Sequence, residues 1–420
     1  VRKALDTNSG CPFSADVRSN PAYDGVDLDA AGISLHGCAF CPMGADYIAL
    51  PAGRTVAVHL DQVQWYQHNL DRLDEVVLRD QHAIRYLPAL ISGALERGMA
   101  PFGILVPGRG DAILRYGEQM AEAARLAADT GFWFTIYLVG FESFSQPQLD
   151  LYNKGVTVAQ YAEALTKMRA LSEAFPASFR MTAYAASSFI LFNPWTSVAD
   201  LQANVTFCRE QAVHTLARGL STTRLRLYPN LPLYWKAKKD GLLRSEEPPV
   251  DRGAAWSGYS AEAAWAYADG RIAIIEAATR RLQALVRPTE TVGALAAVLR
   301  WAESRLPNPL PPAQEESAAM AAEQVEMFGR VAELRALWRS SPSAQKEAPS
   351  AAQRMADAAP VRRRQDRTVL LGAGCNNHCR NCVGEHGRYE TDLDRLKLRV
   401  AQAASEGRLV LAGREPTLLP

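Results

Sequence analysis

The sequence predicts an α/β protein: a partial (β/α) TIM-like barrel, then a helical extension, then the start of a second α/β module. Three observations carry this. Apolar runs and helical repeats alternate over residues 1–245, the pattern of parallel strands joined by crossover helices. The run FWFTIYLVGFES (132–143) is nearly continuous in apolar residues, as a central parallel strand requires. The order strand, cysteine loop, helix, strand occurs twice, at the start of the chain and again after residue 366. Roughly 240 residues of alternation also match the usual length of such a barrel.

Composition excludes several classes. Among 420 residues, Lys+Arg number 46 and Asp+Glu 45, so there is no basic footprint for nucleic acid. Hydrophobic content of 48% and charged content of 22% are those of an ordinary globular protein. No run approaches the roughly 18 apolar residues of a membrane helix. No signal peptide follows Val1, and a cytoplasmic location is expected. The chain opens without Met and stops just after GREPTLLP, so a fragment of a longer protein is expected.

In order, residues 2–6 form the first strand and lead through TNSGCP to Cys11. Residues 12–37, rich in Pro, Asp, Asn and Gly, read as an inserted loop before HGCAFCP supplies Cys38 and Cys41. Residues 59–98 carry helical spacing, with Leu60, Val63, Leu70, Leu73, Val76 and Val77 inward. PFGILVPGRGD (101–111) is a buried strand ending in a Gly-rich turn, and a helix spans 113–129. After the strand at 132–143, Asn153, Lys154 and Gly155 shape a turn into a helix over 157–171. Thr196 or Ser197 caps the next helix, in which Cys208 is a small buried hydrophobe. Residues 223–243 form the last barrel strand and its exit.

From 246 the character changes. Residues 246–340 are expected to be a helical extension, Ala-rich and helical over 260–304 with Trp256, Trp265 and Trp301 as packing anchors, and with a further helix over 313–339. Residues 341–366 read as a flexible linker, whose basic run Arg362–Arg364 is solvated. Residues 367–420 then begin a second module with a strand at Thr368–Leu371, a turn at Gly372–Gly374, a helix at 391–406 and a strand at 408–412. Only 54 residues follow position 366, too few for a second barrel, so this module is read as truncated.

The seven cysteines fall as three (Cys11, Cys38, Cys41), one (Cys208) and three (Cys375, Cys379, Cys382). Odd, clustered spacings argue for metal chemistry in a reducing compartment and against a disulfide framework. The second array is CxxxCxxC; three thiolates on one loop can hold three irons of a cubane cluster and leave the fourth iron open. Zinc is the competing account. Cys38 and Cys41 would need partners from His36, His59 or Cys11, and the second array would use His378 or His386.

The CNNHCRNC loop (375–382), followed about thirty residues on by GREP (413–416), resembles the signature of the radical S-adenosylmethionine (SAM) superfamily, with Arg414 in place of the second glycine of GGEP and Asn381 in place of an aromatic before the last cysteine. The segment GFESFSQPQLDLYNKGVTVAQYAEAL (140–165) resembles radical SAM domains often found beside cobalamin-binding modules. TNSGCP with HGCAFCP resembles the cluster loop of the same superfamily, expanded to CX26CX2C, with Ser34 where the usual spacing wants cysteine and Phe40 as the aromatic before the last cysteine. In 223–243, Pro229–Pro232 stand where relatives often read PGTP.

The resemblance implies a [4Fe–4S] cluster on Cys11, Cys38 and Cys41 and a possible second on Cys375, Cys379 and Cys382. It implies SAM near Glu142 and Ser143 in the first module and near Gly413 and Glu415 in the second. GRGD (108–111) is either a plain turn or the equivalent of the loop that meets the SAM amino group. The activity implied is reductive SAM cleavage to a 5′-deoxyadenosyl radical that abstracts hydrogen from a small-molecule or peptide substrate. A flavodoxin or ferredoxin would act as reductant and cobalamin is a possible further cofactor. Glu142 has a plainer role open to it, as a helix cap. An iron–sulfur electron carrier without SAM turnover and a zinc-stabilised scaffold are the other classes.

Overall fold

The computed structural model describes residues 1–5, 10–29, 32–44, 49–181, 188–213, 224–244, 262–283, 291–306, 367–370 and 409–412. Contacts divide the chain into two units, Val1–Val250 with Glu262–Arg335, and Asp251–Ala261 with Ala336–Pro420.

In the first unit, β1 (Arg2–Leu5), β2 (Glu75–Leu78), β3 (Gly103–Gly108), β4 (Trp133–Glu142) and β5 (Ser188–Phe189) form one sheet in the order β1-β2-β3-β4-β5. Every neighbouring pair is parallel. A sheet whose strands follow one another in sequence is singly wound, as in a (β/α) barrel; doubly wound sheets reverse direction at a switch point. Beyond β5, Phe192 and Arg224 make a parallel bridge that continues the progression. Among the described residues, isolated bridges at Arg224, Leu227 and Leu243 stand where the sequence predicted a last barrel strand, and only that at Arg224 is parallel.

β3 is buried along its whole length, as a central strand must be. Pro107 lies inside it, and the register against β4 shifts between Val106 and Pro107. Proline has no N–H for the ladder, and a register break accommodates it.

Helices fill the crossovers. α1 (Ala52–Asn69) and α2 (Leu87–Glu96) flank β2, and α3 (Gly110–Arg115) and α4 (Gly117–Ala127) link β3 to β4. α5 (Gln146–Leu151) and α6 (Val158–Ala174) follow β4, α7 (Val198–Glu210) follows β5, and α8 (Pro232–Lys239), α9 (Gly270–Gln283) and α10 (Thr291–Arg305) come after. α6 opens on a Thr157–Gln160 capping box and α7 on a Ser197–Asp200 one. Ser197 is therefore the cap; the Thr196 hydroxyl instead accepts from the Asn193 N–H at 2.9 Å. Aromatic rings fill the space between β4 and its helices. Phe141 meets Tyr161 edge-on at 4.9 Å, and Phe144 stacks on Phe207 at 3.9 Å.

Several expectations need correction. Residues 59–98 are not helical throughout: α1 ends at Asn69 and Val76 and Val77 lie on β2. EVVL is only four residues long, and its β-branched pair falls by chance on the helical spacing set by Leu60 and Val63. The helix expected over 113–129 is two, broken at Tyr116. The 260–304 stretch begins with bridges, Leu227 to Ala263 and Leu243 to Trp265, before α9 starts. Trp265 is buried and Trp301 half-buried, while Trp256 lies outside the described residues.

In the second unit, β6 (Arg367–Leu370) and β7 (Leu409–Ala412) pair in parallel, Arg367 opposite Leu409. Both strands stand within a residue of where the sequence put them. The segments expected as a helix over 313–339, a linker over 341–366 and a helix over 391–406 lie outside the described residues, as do Cys375, His378, Cys379, Cys382, His386, Gly413 and Glu415. No described helix is long and apolar enough to cross a membrane.

Candidate metal centre

Cys11 and Cys38 are separated by 26 residues of sequence. The neck of the insertion removes that distance. The Gly37 N–H donates to the Ala15 carbonyl and the Val17 N–H to that of Leu35, both at 2.9 Å, and Asp16 bridges His36 in antiparallel fashion. The chain thus leaves and returns at one point. The Cys41 N–H donates to the Cys38 carbonyl at 3.0 Å, and the Cys11 N–H to that of Met43 at 2.5 Å. These bonds draw Cys11 onto the turn that carries the other two cysteines.

The excursion between is packed. Val17, Tyr23 and Leu28 are buried. At roughly 1.5–3 kcal/mol for each large apolar side chain removed from water, they anchor it to the body of the unit. The Tyr23 hydroxyl donates to the Leu151 carbonyl and the Asn20 amide to that of Asp150, both at 2.7 Å. The two halves of the cysteine loop also approach closely at glycine. A Cβ on Gly44 would stand 2.5 Å from the His36 carbonyl oxygen, and Gly37 holds φ +92°.

Two cations, one just past β3 and one in the turn between α5 and α6, reach this loop. Arg109, just past β3, is buried. Its Nε donates to Asp111 at 2.9 Å, one terminal nitrogen to the Lys154 carbonyl at 2.6 Å, and the other to the Cys38 Sγ at 3.3 Å. The guanidinium lies 3.9 Å over the Phe13 ring. Lys154 is also buried; its Nζ stands 3.4 Å from the Glu142 carboxylate and 5.7 Å from the centre of the Phe40 ring.

Glu142 ends β4 with φ +63°, a left-handed backbone that costs a non-glycine residue energy and often marks functional sites. Its carbonyl accepts from the Ile190 N–H at 2.8 Å. The cap of α5 is Ser145, so Glu142 does not serve as that helix's cap. Ser143 is buried, and its hydroxyl is taken up by Asn204 and by the Ser145 N–H.

Burial raises the Cys11 thiol above the usual range, while the Phe13 N–H, Arg109 and Lys154 pull it back and Cys38 adds to the rise. Cys208 is pushed far higher by burial alone and touches none of this. It is the small core residue expected.

Among the described residues no three His, Cys, Asp or Glu side chains converge on a point that could hold one metal ion. His36 is exposed, and His59 is buried on α1 with its ring 5.8 Å from that of Tyr86. Around a single zinc, four ligands at ~2.3 Å would crowd together. A cubane cluster gives each thiolate a separate iron and lets the sulfurs stand wider apart. The loops that carry Cys11 and the Cys38–Cys41 pair are held together by backbone bonds, and cations stand beside Cys11 and Cys38. Ser34, where the usual spacing wants cysteine, is held by its backbone N–H donating to the Asn230 carbonyl at 2.9 Å.

Reading the sequence missed Arg109 and Lys154. GRGD reads as a plain turn or a SAM-side loop and Lys154 as part of a turn, yet Arg109 and Lys154 are both buried charges. The signal available for Arg109 was position: it is a cation directly after an apolar strand's C-terminal end. There αβ sheets collect their ligands.

No family model matches the chain, and no curated protein matches it. Two similar solved structures are of the cobalamin-dependent SAM radical enzyme OxsB. With aqua-cobalamin and SAM bound, it matches at TM-score 0.45 and 14% identity over 84% of this chain and 55% of that one. Its apo, selenomethionine-labelled form matches at TM-score 0.46 and 14% identity over 78% and 49%. This chain spans about half the length of each. A likeness at these values assigns neither fold nor chemistry by itself.

Proposed function

We propose that the chain is a radical SAM enzyme whose first module holds a [4Fe–4S] cluster on Cys11, Cys38 and Cys41. The observation that supports this most is the pinch at Ala15–Val17 and Leu35–Gly37, which lets an expanded CX26CX2C motif act as a compact thiol loop. When bound, the cluster supplies a low-potential electron to the sulfonium of SAM. The substrate is a small molecule or peptide, and the reductant a flavodoxin or ferredoxin.

This chain's residues hold and shield. Glu142, at the strand end with a strained backbone, offers a carboxylate to the SAM amino group, and Lys154 beside it orients that carboxylate. Val17, Tyr23 and Leu28 seat the insertion over the loop and keep water and stray hydrogen donors away. Ser143 supports the β4–α5 turn that carries Glu142. Cobalamin as a further cofactor rests on the resemblance of residues 140–165. A second cluster on Cys375, Cys379 and Cys382, with Gly413 and Glu415 toward SAM, rests on sequence spacing.

Anaerobic reconstitution with iron and sulfide, followed by SAM and dithionite, tests the reading. Release of 5′-deoxyadenosine that is lost with Cys38→Ser supports it. A brown protein that leaves SAM intact makes the chain an electron carrier, and a colourless zinc protein makes it a scaffold; either outcome overturns the proposal.

A further inference from the structure

We infer that Arg109 is a positioning residue for the cluster ligand Cys38, holding its sulfur by a charged hydrogen bond and thereby setting the reduction potential of the centre. The inference rests on the reading above that Cys38 ligates iron. It goes beyond that reading because no cluster motif includes this arginine.

The geometry is that of a fixed donor. Three nitrogens of the guanidinium have three different acceptors: Asp111 Oδ1 at 2.9 Å, the Lys154 carbonyl at 2.6 Å and Cys38 Sγ at 3.3 Å. Its flat face is covered by the Phe13 ring at 3.9 Å. Asp111 lies in the first turn of α3, and Lys154 belongs to the turn before α6. The two elements hold the fork from opposite sides, so the nitrogen aimed at sulfur has little freedom to swing away. Arginine suits this role because its donors form a rigid planar fork, whereas lysine presents one flexible point charge.

Hydrogen bonds to ligating sulfurs withdraw electron density from an iron–sulfur cluster, and they tune its potential together with net charge and burial. A buried cation adds its field in the same direction. Arg109 therefore stabilises the reduced state, and its removal makes the centre harder to reduce. A residue that merely braced the loop would alter folding and iron content but leave the potential of the loaded centre where it was.

The test uses the full chain carrying Cys375→Ser, Cys379→Ser and Cys382→Ser, so that one cysteine triad remains. After anaerobic reconstitution, the midpoint potential and the electron paramagnetic resonance of the reduced centre are recorded for this background and for R109K and R109Q. The expected result is a shift to more negative potential in R109Q, a smaller shift of the same sign in R109K, and a changed resonance line shape in both. Circular dichroism checks folding. Should R109Q fail to fold, R109K carries the test with its smaller negative shift. Loaded variants whose potential and resonance match the background overturn the role of Arg109 and leave the cluster reading standing. A background protein that takes up no cluster overturns both.

Discussion

The Asn153 side chain donates from one nitrogen to the carbonyls of Gly37, at 2.8 Å, and Ala15, at 3.1 Å. It therefore clips both strands of the insertion's neck to the turn after α5. Asn153 itself holds φ +51°, which asparagine tolerates better than most residues. N153D replaces the donor with an acceptor facing two carbonyls, and N153G keeps the backbone but drops both bonds. Each is expected to lose about 1–2 kcal/mol of stability. In both, proteolysis within residues 17–35 should quicken. Urea melts and limited proteolysis read the two effects, and unchanged cleavage in both variants would contradict the clip.

Close backbone approach makes a second, sharper prediction. Gly44→Ala puts a methyl 2.5 Å from the His36 carbonyl, against backbone that cannot rotate away. The loop must shift, at about 1–3 kcal/mol, the usual cost of overpacking. Iron uptake on reconstitution should fall with it. Gly53→Ala, on exposed α1 with nothing within 4 Å, is the control and should leave both unchanged or slightly raise the melting temperature.

The buried pair at the end of β4 should behave as a coupled unit. Lys154→Met removes the cation paired with a buried carboxylate, which costs roughly 3 kcal/mol or more when such a pair is broken on one side. Glu142→Gln alone leaves Lys154 with a neutral acceptor and should cost less. Adding Glu142→Gln to Lys154→Met should recover part of the loss. A double-mutant cycle by chemical denaturation measures this, and strictly additive losses would show that the two side chains do not interact.

His82 offers a pH test away from the cysteines. Its Nε2 lies 2.5 Å from the Tyr116 hydroxyl, and burial, with Arg85 adding to it, holds the imidazole below its ordinary pKa. The sign follows from linkage. Well above the unfolded-state pKa neither state binds the proton, so His82 contributes no difference. As pH falls through the unfolded value, the unfolded chain takes up the proton first and stability drops. The urea midpoint should therefore fall from pH 7.5 to 5.5, and fall less in His82→Gln. Equal slopes in the two proteins would contradict the shift.

What could be read from the sequence divides along physical lines. β4 was legible because a ten-residue run broken only by Thr135, Gly140 and Glu142 fits no amphipathic helix, and β6 and β7 because turn residues bound them. β2 was not, since four residues between two helices carry too little period to outweigh their surroundings. The three cysteines of the first module could be picked out by type, but the closure of the loop between them depends on the antiparallel neck, whose Asp16 and His36 carry no strand signal. Arg109 and Lys154 were illegible for the same reason. Each looks like a turn residue, and only Phe13 and Phe40, from distant parts of the chain, turn those places into buried ones.

The account stands or falls on Cys11 sharing one centre with Cys38 and Cys41. Iron and acid-labile sulfide should be counted in the reconstituted chain lacking the second triad, with and without Cys11→Ser. The account predicts iron and sulfide in equal amounts, as in a [4Fe–4S] cluster, and their loss when Cys11 is replaced. A Cys11→Ser protein that keeps its full complement of both would contradict it.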